Sequence, residues 1–259
     1  MGKGPSVSNI IQLFGFRPKA VASKTFSVDP DTLAAAKQVE RGGHCSCLGS
    51  RTKKGAPSVP NLHVEEQDRS AAGWQALLTA ITAEPMATVL RPSAAIASDQ
   101  WSGVVTLPSE IQSLTSLREL HLYGSHLRRL PPETGRLVNL ENLDVYTSYS
   151  LHWLPYEVTR CIRLKSSRMS TRALYGNVKT RLPFPRLSSP IEALLPQTCS
   201  VCDGPFHSGS IHPFWTTQRV GTDFVPLLIH GCSADCIDQV PDAPDGYHAR
   251  PHREGPWPS

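Results

Sequence analysis

The chain has 259 residues and a formal net charge of +4. At roughly 150 residues per domain, this length predicts one large domain or two small ones. The 18 glycines and 23 prolines form about 16% of the chain against a usual ~12%, while aromatic residues reach only 7%. This composition favours ordered modules separated by looser chain. The longest apolar run, Phe224–Ile229, is far shorter than the roughly 18 residues of a membrane helix, which excludes a spanning segment.

The positive charge is concentrated at the amino terminus. Residues 1–62 carry nine basic and three acidic side chains, a net charge of +6, so that the other residues sum to −2. We interpret residues 1–62 as a disordered basic leader. A secretory signal, an organelle transit peptide and N-myristoylation at Gly2 are the alternatives. We expect a cytoplasmic protein.

The leader contains the motif His44-Cys45-Ser46-Cys47. These thiols and the imidazole could bind a soft metal. However, two cysteines separated by one residue seldom chelate one zinc ion well, because a tetrahedral site favours a longer reach. We therefore interpret Cys45 and Cys47 as an incidental exposed pair.

A helix is predicted from Asp68 to Glu84. Asp68 is a suitable N-cap, the apolar residues Trp74, Leu77, Leu78 and Ile81 recur at helical spacing, and Pro85 ends the pattern. The apolar face of this helix needs a neighbour to cover it. Residues 63–100 are therefore predicted to form a helical cap and linker.

Leucine residues recur with a period of 23 and then 24 residues between residues 101 and 187. The copies begin at Leu107-Pro108, Leu130-Pro131 and Leu154-Pro155, and the third copy is degenerate. This period is the signature of leucine-rich repeats. It predicts an α/β fold: a short leucine-rich repeat solenoid with the helix as its amino-terminal cap. Ser125 and Ser148 stand where such repeats use asparagine, so we expect a looser hydrogen-bond ladder.

Strand alternation predicts which side chains the concave face of the repeats presents. With Leu120 and Leu122 pointing inward, the outward side chains of the three copies form transverse rows. The candidate partner-binding residues are Glu119, His121, Tyr123, Asp144, Tyr146 and Arg168. Tyrosine and arginine often anchor interfaces, so this face is a candidate surface for a protein partner. The alternative is a solvated sheet face with incidental ion pairs.

Catalysis is not favoured by these residues. His121 and Asp144 resemble a general-base pair, but no recognisable motif places a nucleophile beside them. Cys161 falls on a leucine position of the third copy, which predicts a small core residue. We therefore expect no enzymatic activity.

Basic residues are also concentrated between Thr159 and Ile191, where no acidic residue occurs. Such a block can bind phosphate-rich partners, which makes a nucleic-acid-associated zinc protein the alternative function. The block, residues 160–186, lacks the interleaved aromatic residues of a nucleic-acid platform. A solvated face is therefore the other interpretation.

The remaining cysteines form two pairs in residues 188–245. Cys199 and Cys202 are separated by two residues, and Cys232 and Cys236 by three. Four thiolates close a tetrahedral shell, so we predict a structural Zn²⁺ site in a small α+β module. A reduced cysteine cluster and a redox-active pair are the alternatives, and His207, His212 and His230 are backup ligands. Residues 246–259 are predicted to be a disordered tail.

The combination of motifs resembles a group of small bacterial leucine-rich repeat proteins. The resemblance lies in Tyr146-Thr147-Ser148-Tyr149-Ser150-Leu151-His152-Trp153-Leu154-Pro155-Tyr156, in Ser170-Thr171-Arg172-Ala173-Leu174-Tyr175-Gly176-Asn177, and in the cysteine pairs that follow. It covers roughly residues 68–245, and the carboxy-terminal module resembles a treble-clef zinc finger. The resemblance implies the architecture and no enzymatic activity. The prediction is a non-enzymatic scaffold that binds a protein partner; an enzyme with a reactive cysteine, ligase-like or thiol-redox, is the second alternative.

Overall fold

A computed structural model of the protein describes residues 45, 47, 60–179, 182–207 and 211–254. Most of the predicted leader, residues 1–62, therefore lies outside the described residues, as do residues 255–259 of the predicted tail. The helices and strands follow in the order α1 (Ala72–Ala83), β1 (Val89–Leu90), α2 (Ser98–Trp101), β2 (Glu119–His121), β3 (Asn142–Val145), β4 (Leu154–Pro155), β5 (Ser166–Met169), β6 (His212–Val220), β7 (Asp223–Gly231) and α3 (Ala234–Asp238).

The architecture is mixed α/β, with two sheets. The first has four parallel strands in the order β1-β2-β3-β5, and the second has three strands in the order β4-β7-β6. Glu119 pairs with Asn142, and Asn142 pairs with Ser166, so neighbouring strands repeat at the 23- and 24-residue intervals of the leucines. The inward apolar side chains of these strands belong to one buried core, whereas the inward Ser167 of β5 donates a hydrogen bond to the carbonyl of Val220.

Short 3-10 helices follow the three Leu-Pro pairs, at Ser109–Ser113, Pro132–Arg136 and Tyr156–Arg160. Proline fixes φ at the value that such a turn needs at its start. The second and third turns approach closely at Gly135, where a Cβ atom would lie 2.3 Å from the carbonyl oxygen of Glu157. Glycine at this position therefore sets the spacing between two successive turns.

Helix α1 covers one end of the leucine core. Trp74, Leu77 and Ile81 are buried in the same cluster as the leucines, as the helical spacing predicts. Asp68 is not the N-cap, because the helix starts at Ala72 and its flanking residue is Ala71. The Asp68 carboxylate instead accepts hydrogen bonds from the backbone N–H and the hydroxyl of Ser70.

Strand β1 was not predicted from the sequence. Its two residues pair in parallel with Glu119 and Leu120 and add a fourth strand to the sheet. Leu90 is buried in the common core, whereas Val89 is exposed. A two-residue strand is too short to show the alternation on which a sequence prediction depends.

Hydroxyl groups connect the turns that follow β2, β3 and β5. The buried Ser125 and Ser148 side chains are hydrogen-bonded to each other over 2.6 Å. Thr147 has a φ of +66°, rare for a β-branched residue, and its Oγ1 accepts a 2.8 Å hydrogen bond from the backbone N–H of Gly124. The N–H of Thr147 donates to Ser170 Oγ. Ser125 and Ser148, at the positions where leucine-rich repeats use asparagine, thus bond to each other, and the hydroxyls of Thr147 and Ser170 satisfy backbone N–H groups of the turns.

Strands β6 and β7 form an antiparallel hairpin that packs onto the repeats. The turn contains Gly221 at a φ of +60°, where a Cβ atom would lie 2.7 Å from the backbone nitrogen of Ser167. Strand β7 also pairs in parallel with β4, joining Leu154 to Leu227. Because Leu227 lies in the same buried cluster as the leucines, the hairpin and the repeats share one hydrophobic core.

A second buried cluster is largely aromatic. Trp153, Tyr175, Phe184 and Trp215 pack with ring centroids 5.7–6.5 Å apart. Within the segment predicted as a tail, His252 exchanges two backbone hydrogen bonds with Trp215. Among the described residues, no helix combines the length and apolarity that crossing a membrane requires.

Candidate metal centres

The four cysteines of the carboxy-terminal module converge at one end of the hairpin. Cys199 and Cys202 precede β6, Cys232 directly follows β7, and Cys236 lies in α3. Their sulfur atoms all lie within 4.8 Å of one another. The module therefore contains a group of side chains that could hold a metal ion, in agreement with the sequence prediction.

The spacing of these sulfurs fits a tetrahedral ion. Cys202 Sγ lies 3.7 Å from Cys232 Sγ, which lies 3.5 Å from Cys236 Sγ. A tetrahedron with metal–sulfur bonds of roughly 2.3 Å has sulfur–sulfur edges of about 3.8 Å. Only small shifts would therefore bring four sulfurs to bonding distance of one zinc-sized ion, and four sulfurs leave no open position.

Local hydrogen bonds hold the first cysteine pair in a tight turn. The N–H of Cys199 donates to the carbonyl of Gly204, and the N–H of Asp203 donates to the carbonyl of Cys199, with Asp203 at a φ of +60°. A backbone hydrogen bond from Gly204 lowers the pKa of Cys202 to about 7. The turn thus favours the thiolate that metal binding requires.

The second pair is positioned by the start of α3. Ser233 caps the helix, and its Oγ accepts a hydrogen bond from the N–H of Cys236. A hydrogen bond with the Cys236 thiol raises the pKa of Cys232 to about 12. The N–H of Cys232 also points at Cys199 Sγ over 3.3 Å, which links the two pairs directly.

An arginine–aspartate cluster attaches the first pair to the repeats. Arg136 makes two hydrogen bonds to the Asp203 carboxylate, at 2.8 and 2.9 Å, and Arg160 makes a third at 3.1 Å. Arg160 also donates to the carbonyls of Cys199 and Ser200. Since both arginines lie in 3-10 turns of the repeats, they fix the position of the cysteine turn on that surface.

The histidines predicted as backup ligands do not belong to this group. The four cysteines alone form it, and His207, His212 and His230 are not among its members. His230 is buried, which lowers its pKa to about 4, and its backbone is hydrogen-bonded to Ser200 in both directions.

A second group consists of Cys45, Cys47, His63 and His152, whose ligand atoms also lie within 4.8 Å of one another. The interpretation of Cys45 and Cys47 as an incidental exposed pair is therefore wrong. Cys47 is 8% exposed and Cys45 is partly buried. His63 and His152 provide imidazoles that the sequence analysis did not connect with the cysteines.

Four close contacts define this second group. Cys45 Sγ lies 2.9 Å from Cys47 Sγ and 2.8 Å from His63 Nε2, and Cys47 Sγ lies 3.0 Å from His152 Nε2. The imidazole rings of His63 and His152 stack with centroids 5.5 Å apart. The hydrogen bond from Cys47, and after it those from the two imidazoles, lower the pKa of Cys45.

Sequence spacing could not reveal this group. His152 is separated from Cys47 by 105 positions and lies in the turn after β3, where the repeat pattern draws attention to leucines. The signals in the sequence were the cysteine pair itself and a histidine within the repeat that is 24 residues long. A buried histidine more often makes an ordinary hydrogen bond than a metal bond.

The predicted concave-face residues lie on adjacent strands. His121, Asp144 and Arg168 are direct register partners on β2, β3 and β5. Arg168 lies 3.6 Å from Asp144 and stacks over Tyr123 and Tyr146, at 5.3 and 4.5 Å from their ring centroids. The row predicted from the repeat spacing is therefore assembled as a cluster.

Much of this cluster is buried, in contrast to the outward exposure expected. His121, Tyr123 and Asp144 are 8%, 6% and 4% exposed, whereas Tyr146 and Arg168 are partly exposed. Burial raises the pKa of Asp144, against the opposing effects of the Tyr146 N–H and Arg168. His121 lies 3.0 Å from Glu119, so its imidazole contacts a carboxylate other than Asp144.

Glu157 connects the repeats to the cysteine turn and offers a test of this packing. Its side chain is 3% exposed and interacts with Ser200, and burial raises its pKa. A carboxyl group whose pKa is higher in the folded than in the unfolded protein contributes stability at pH values below the unfolded pKa of about 4.5. This contribution is lost as the pH rises from there through the raised pKa of the folded state. Glu157→Gln should therefore raise the melting temperature at pH 7.5 more than at pH 4.5.

The matched control is Glu110→Gln, because Glu110 occupies the equivalent position of the first repeat, after Leu107-Pro108, and is exposed. Thermal unfolding followed by circular dichroism at both pH values measures the difference. A melting temperature that Glu157→Gln lowers equally at both pH values would contradict a buried, ionisation-sensitive carboxyl group.

Comparison with known proteins adds no family to this description. No protein-family model matches the sequence, and none of the curated proteins matches it.

Proposed function

We propose that this chain is a non-enzymatic interaction protein of the leucine-rich repeat type, which binds a protein partner on the concave face of its repeats. In this proposal a structural zinc ion at Cys199, Cys202, Cys232 and Cys236 holds a treble-clef-like module against the repeats. The partner-binding surface comprises the side chains of Glu119, His121, Tyr123, Asp144, Tyr146 and Arg168.

The observation that carries the proposal is the position of Arg168. Its guanidinium group is held by Asp144 and by the faces of Tyr123 and Tyr146, while 34% of its side chain is exposed. Arginine and tyrosine are enriched among the residues that dominate interface energies. An arginine already held in one position loses less conformational entropy on binding, so the cluster is suited to anchor a partner.

The basic block of residues 160–186 supports a protein partner over a nucleic acid. Four of its described side chains lie within 4 Å of carboxylates of the same chain: Arg160 with Asp203, Lys165 with Glu141, Arg168 with Asp144, and Arg186 with Glu254. These pairs reduce the uncompensated positive charge that phosphate binding depends on.

The distribution of thiols supports a non-enzymatic role. Six of the seven cysteines belong to the two metal-binding groups. The seventh, Cys161, is buried in the leucine core as predicted, and burial raises its pKa to about 12. A thiol that is buried and protonated is a poor nucleophile.

Zinc is the proposed ion of the Cys199 group because a closed shell of four thiolates is typical of structural zinc. The apolar residues beside the group are few: Ile229, Ile237 and Val240 form its buried cluster. Structural zinc can contribute an apparent ~10 to 16 kcal/mol, which such a small cluster does not supply.

Replacing Cys199 and Cys236 by alanine should therefore remove one zinc equivalent per chain and lower the melting temperature. Elemental analysis of the purified protein, with a thermal melt of the same sample, measures both effects. Cys161→Ala is the matched control, since it also removes a buried cysteine. An unchanged zinc content in the double variant would contradict zinc binding by this group.

Partner binding is tested with the two partly exposed members of the face. Tyr146→Ala with Arg168→Ala should reduce partner recovery at least tenfold in a quantitative affinity purification from cells, because the anchor is removed. Arg163→Ala is the control, since Arg163 contacts Asn139 and belongs to no part of the face. Unchanged zinc content shows that the variants remain folded, and an unchanged set of partners would overturn the proposed surface.

A further inference from the structure

We propose that Cys45, Cys47, His63 and His152 form a second zinc site, and that this site fastens Cys45 and Cys47 onto the repeats. The proposal is independent of the partner-binding face and of the Cys199 group. It concerns four residues that come from three separate parts of the chain.

The donor set fits zinc. Two thiols and two imidazoles supply the tetrahedral S₂N₂ ligands that zinc accepts, and four ligands leave no position for substrate or water. The sulfur–sulfur and sulfur–nitrogen contacts of 2.8–3.0 Å are shorter than the about 3.6–3.8 Å edges of a zinc tetrahedron. Zinc binding would therefore move these atoms apart by less than about 1 Å.

A hydrogen-bond partner on the far side of its ring orients His152 for metal coordination. Its Nδ1 lies 2.6 Å from the carbonyl oxygen of Ala173. A carbonyl oxygen can only accept, so Nδ1 carries the proton and Nε2 presents its lone pair to the cysteines. A histidine that donates its other ring N–H to a carbonyl is the usual arrangement at protein metal sites.

His63 repeats this arrangement with a carboxylate. Its Nδ1 lies 3.1 Å from both oxygens of Glu65, while Nε2 faces Cys45. Glu65 is held in turn by Arg128, over 2.7 Å. Both imidazoles therefore point Nε2 into the cluster and hold the ring in place through a hydrogen bond at Nδ1. Coordination of one metal ion requires this orientation of both rings, whereas separate thiol–imidazole hydrogen bonds do not.

A disulfide between Cys45 and Cys47 is the competing arrangement of these atoms. Both residues are free thiols in the structure. A disulfide would use the two sulfurs and leave Nε2 of the buried His63 and His152 facing no donor within the cluster. Zinc instead engages all four atoms, and each thiol releases one proton as its thiolate binds the ion, so binding at full occupancy releases up to two protons.

The site would link segments that are distant in sequence. The N–H of Asn61 donates to the carbonyl of Cys47, the N–H of Tyr175 donates to the carbonyl of His152, and the Tyr175 hydroxyl lies 3.3 Å from the carbonyl of Asn61. Tyr175 also stacks beside His152 and belongs to the aromatic cluster. Zinc at this position would thus fix the start of the described chain to the aromatic cluster.

The decisive experiment is zinc analysis of the full chain with X-ray absorption spectroscopy. Two occupied sites together offer six sulfurs and two nitrogens, so we expect two zinc ions per chain and an average shell of three sulfurs and one nitrogen. One zinc ion with four sulfurs would overturn the second site. One zinc ion with two sulfurs and two nitrogens would support it and count against the Cys199 group instead.

Variants separate the two sites. Cys45→Ser with His63→Ala should leave one zinc ion per chain surrounded by four sulfurs, whereas His207→Ala and Cys161→Ala should leave two. Two zinc ions in the double variant would overturn the ligand assignment. If the double variant does not fold, the zinc content and the average number of sulfur and nitrogen ligands per zinc ion in the unmodified chain still show whether the second site is occupied.

Hydrogen exchange tests the fastening role. Loss of zinc from this site should accelerate exchange of the backbone amides of Asn61 and Tyr175, because their acceptors are the carbonyls of Cys47 and His152. Exchange at Val225, within the β6–β7 hairpin, serves as the internal reference. Unchanged exchange at Asn61 and Tyr175 in the zinc-depleted variant would overturn the fastening role.

Discussion

The parallel pairing of β4 with β7 is the interaction on which the other features depend. It joins Leu154 and Pro155 of the repeats to Leu227 and Leu228 of the hairpin. Through this pairing β4 of the repeat region forms a three-stranded sheet with the two strands of the hairpin. The hairpin in turn contributes Val225 and Leu227 to the leucine core. Cys232 follows the hairpin directly, so the position of the metal-binding group is set by the same pairing.

The two groups of side chains that could hold a metal ion contain residues that lie next to the buried clusters. Each brings together residues that are separated along the sequence; large apolar side chains are few beside the Cys199 group, whereas the Cys45 group lies next to the aromatic cluster. The Cys199 group closes the hairpin against the 3-10 turns, with Arg136 and Arg160 holding Asp203. The Cys45 group joins the start of the described chain to His152, beside the aromatic cluster. In our proposal, metal bonds stabilise the Cys199 group where the apolar cluster is small, and at the Cys45 group they join separate segments of the chain beside an existing apolar cluster.

The register of the parallel sheet could be predicted from the sequence because most inward positions carry a large apolar residue at a fixed interval; the exception is Ser167 in the degenerate third copy, which pairs with Leu143. The cysteine pairs around Cys199 and Cys232 were predictable for a similar reason, since each pair is local in sequence and long enough to chelate. Helix α1 was predictable from its apolar face, although its first residue was not, because Asp68 uses its carboxylate in a tight turn with Ser70.

Other features depend on contacts that no local pattern encodes. Strand β1 has two residues, and its pairing is stabilised by β2 rather than by its own sequence. The contact between Cys47 and His152 spans 105 positions, and the CxC spacing alone argued against a metal site. The burial of Tyr123 and Asp144 follows from packing among side chains of the same face, whereas strand alternation predicts only the side of the sheet on which they lie.

Because the repeats and the hairpin share a sheet and a core, they should unfold as one cooperative unit. Differential scanning calorimetry of the full, metal-loaded chain tests this most directly. A single transition whose calorimetric enthalpy equals its van't Hoff enthalpy is the predicted result. Two separable transitions, with the hairpin unfolding while the repeats remain folded, would contradict the claim.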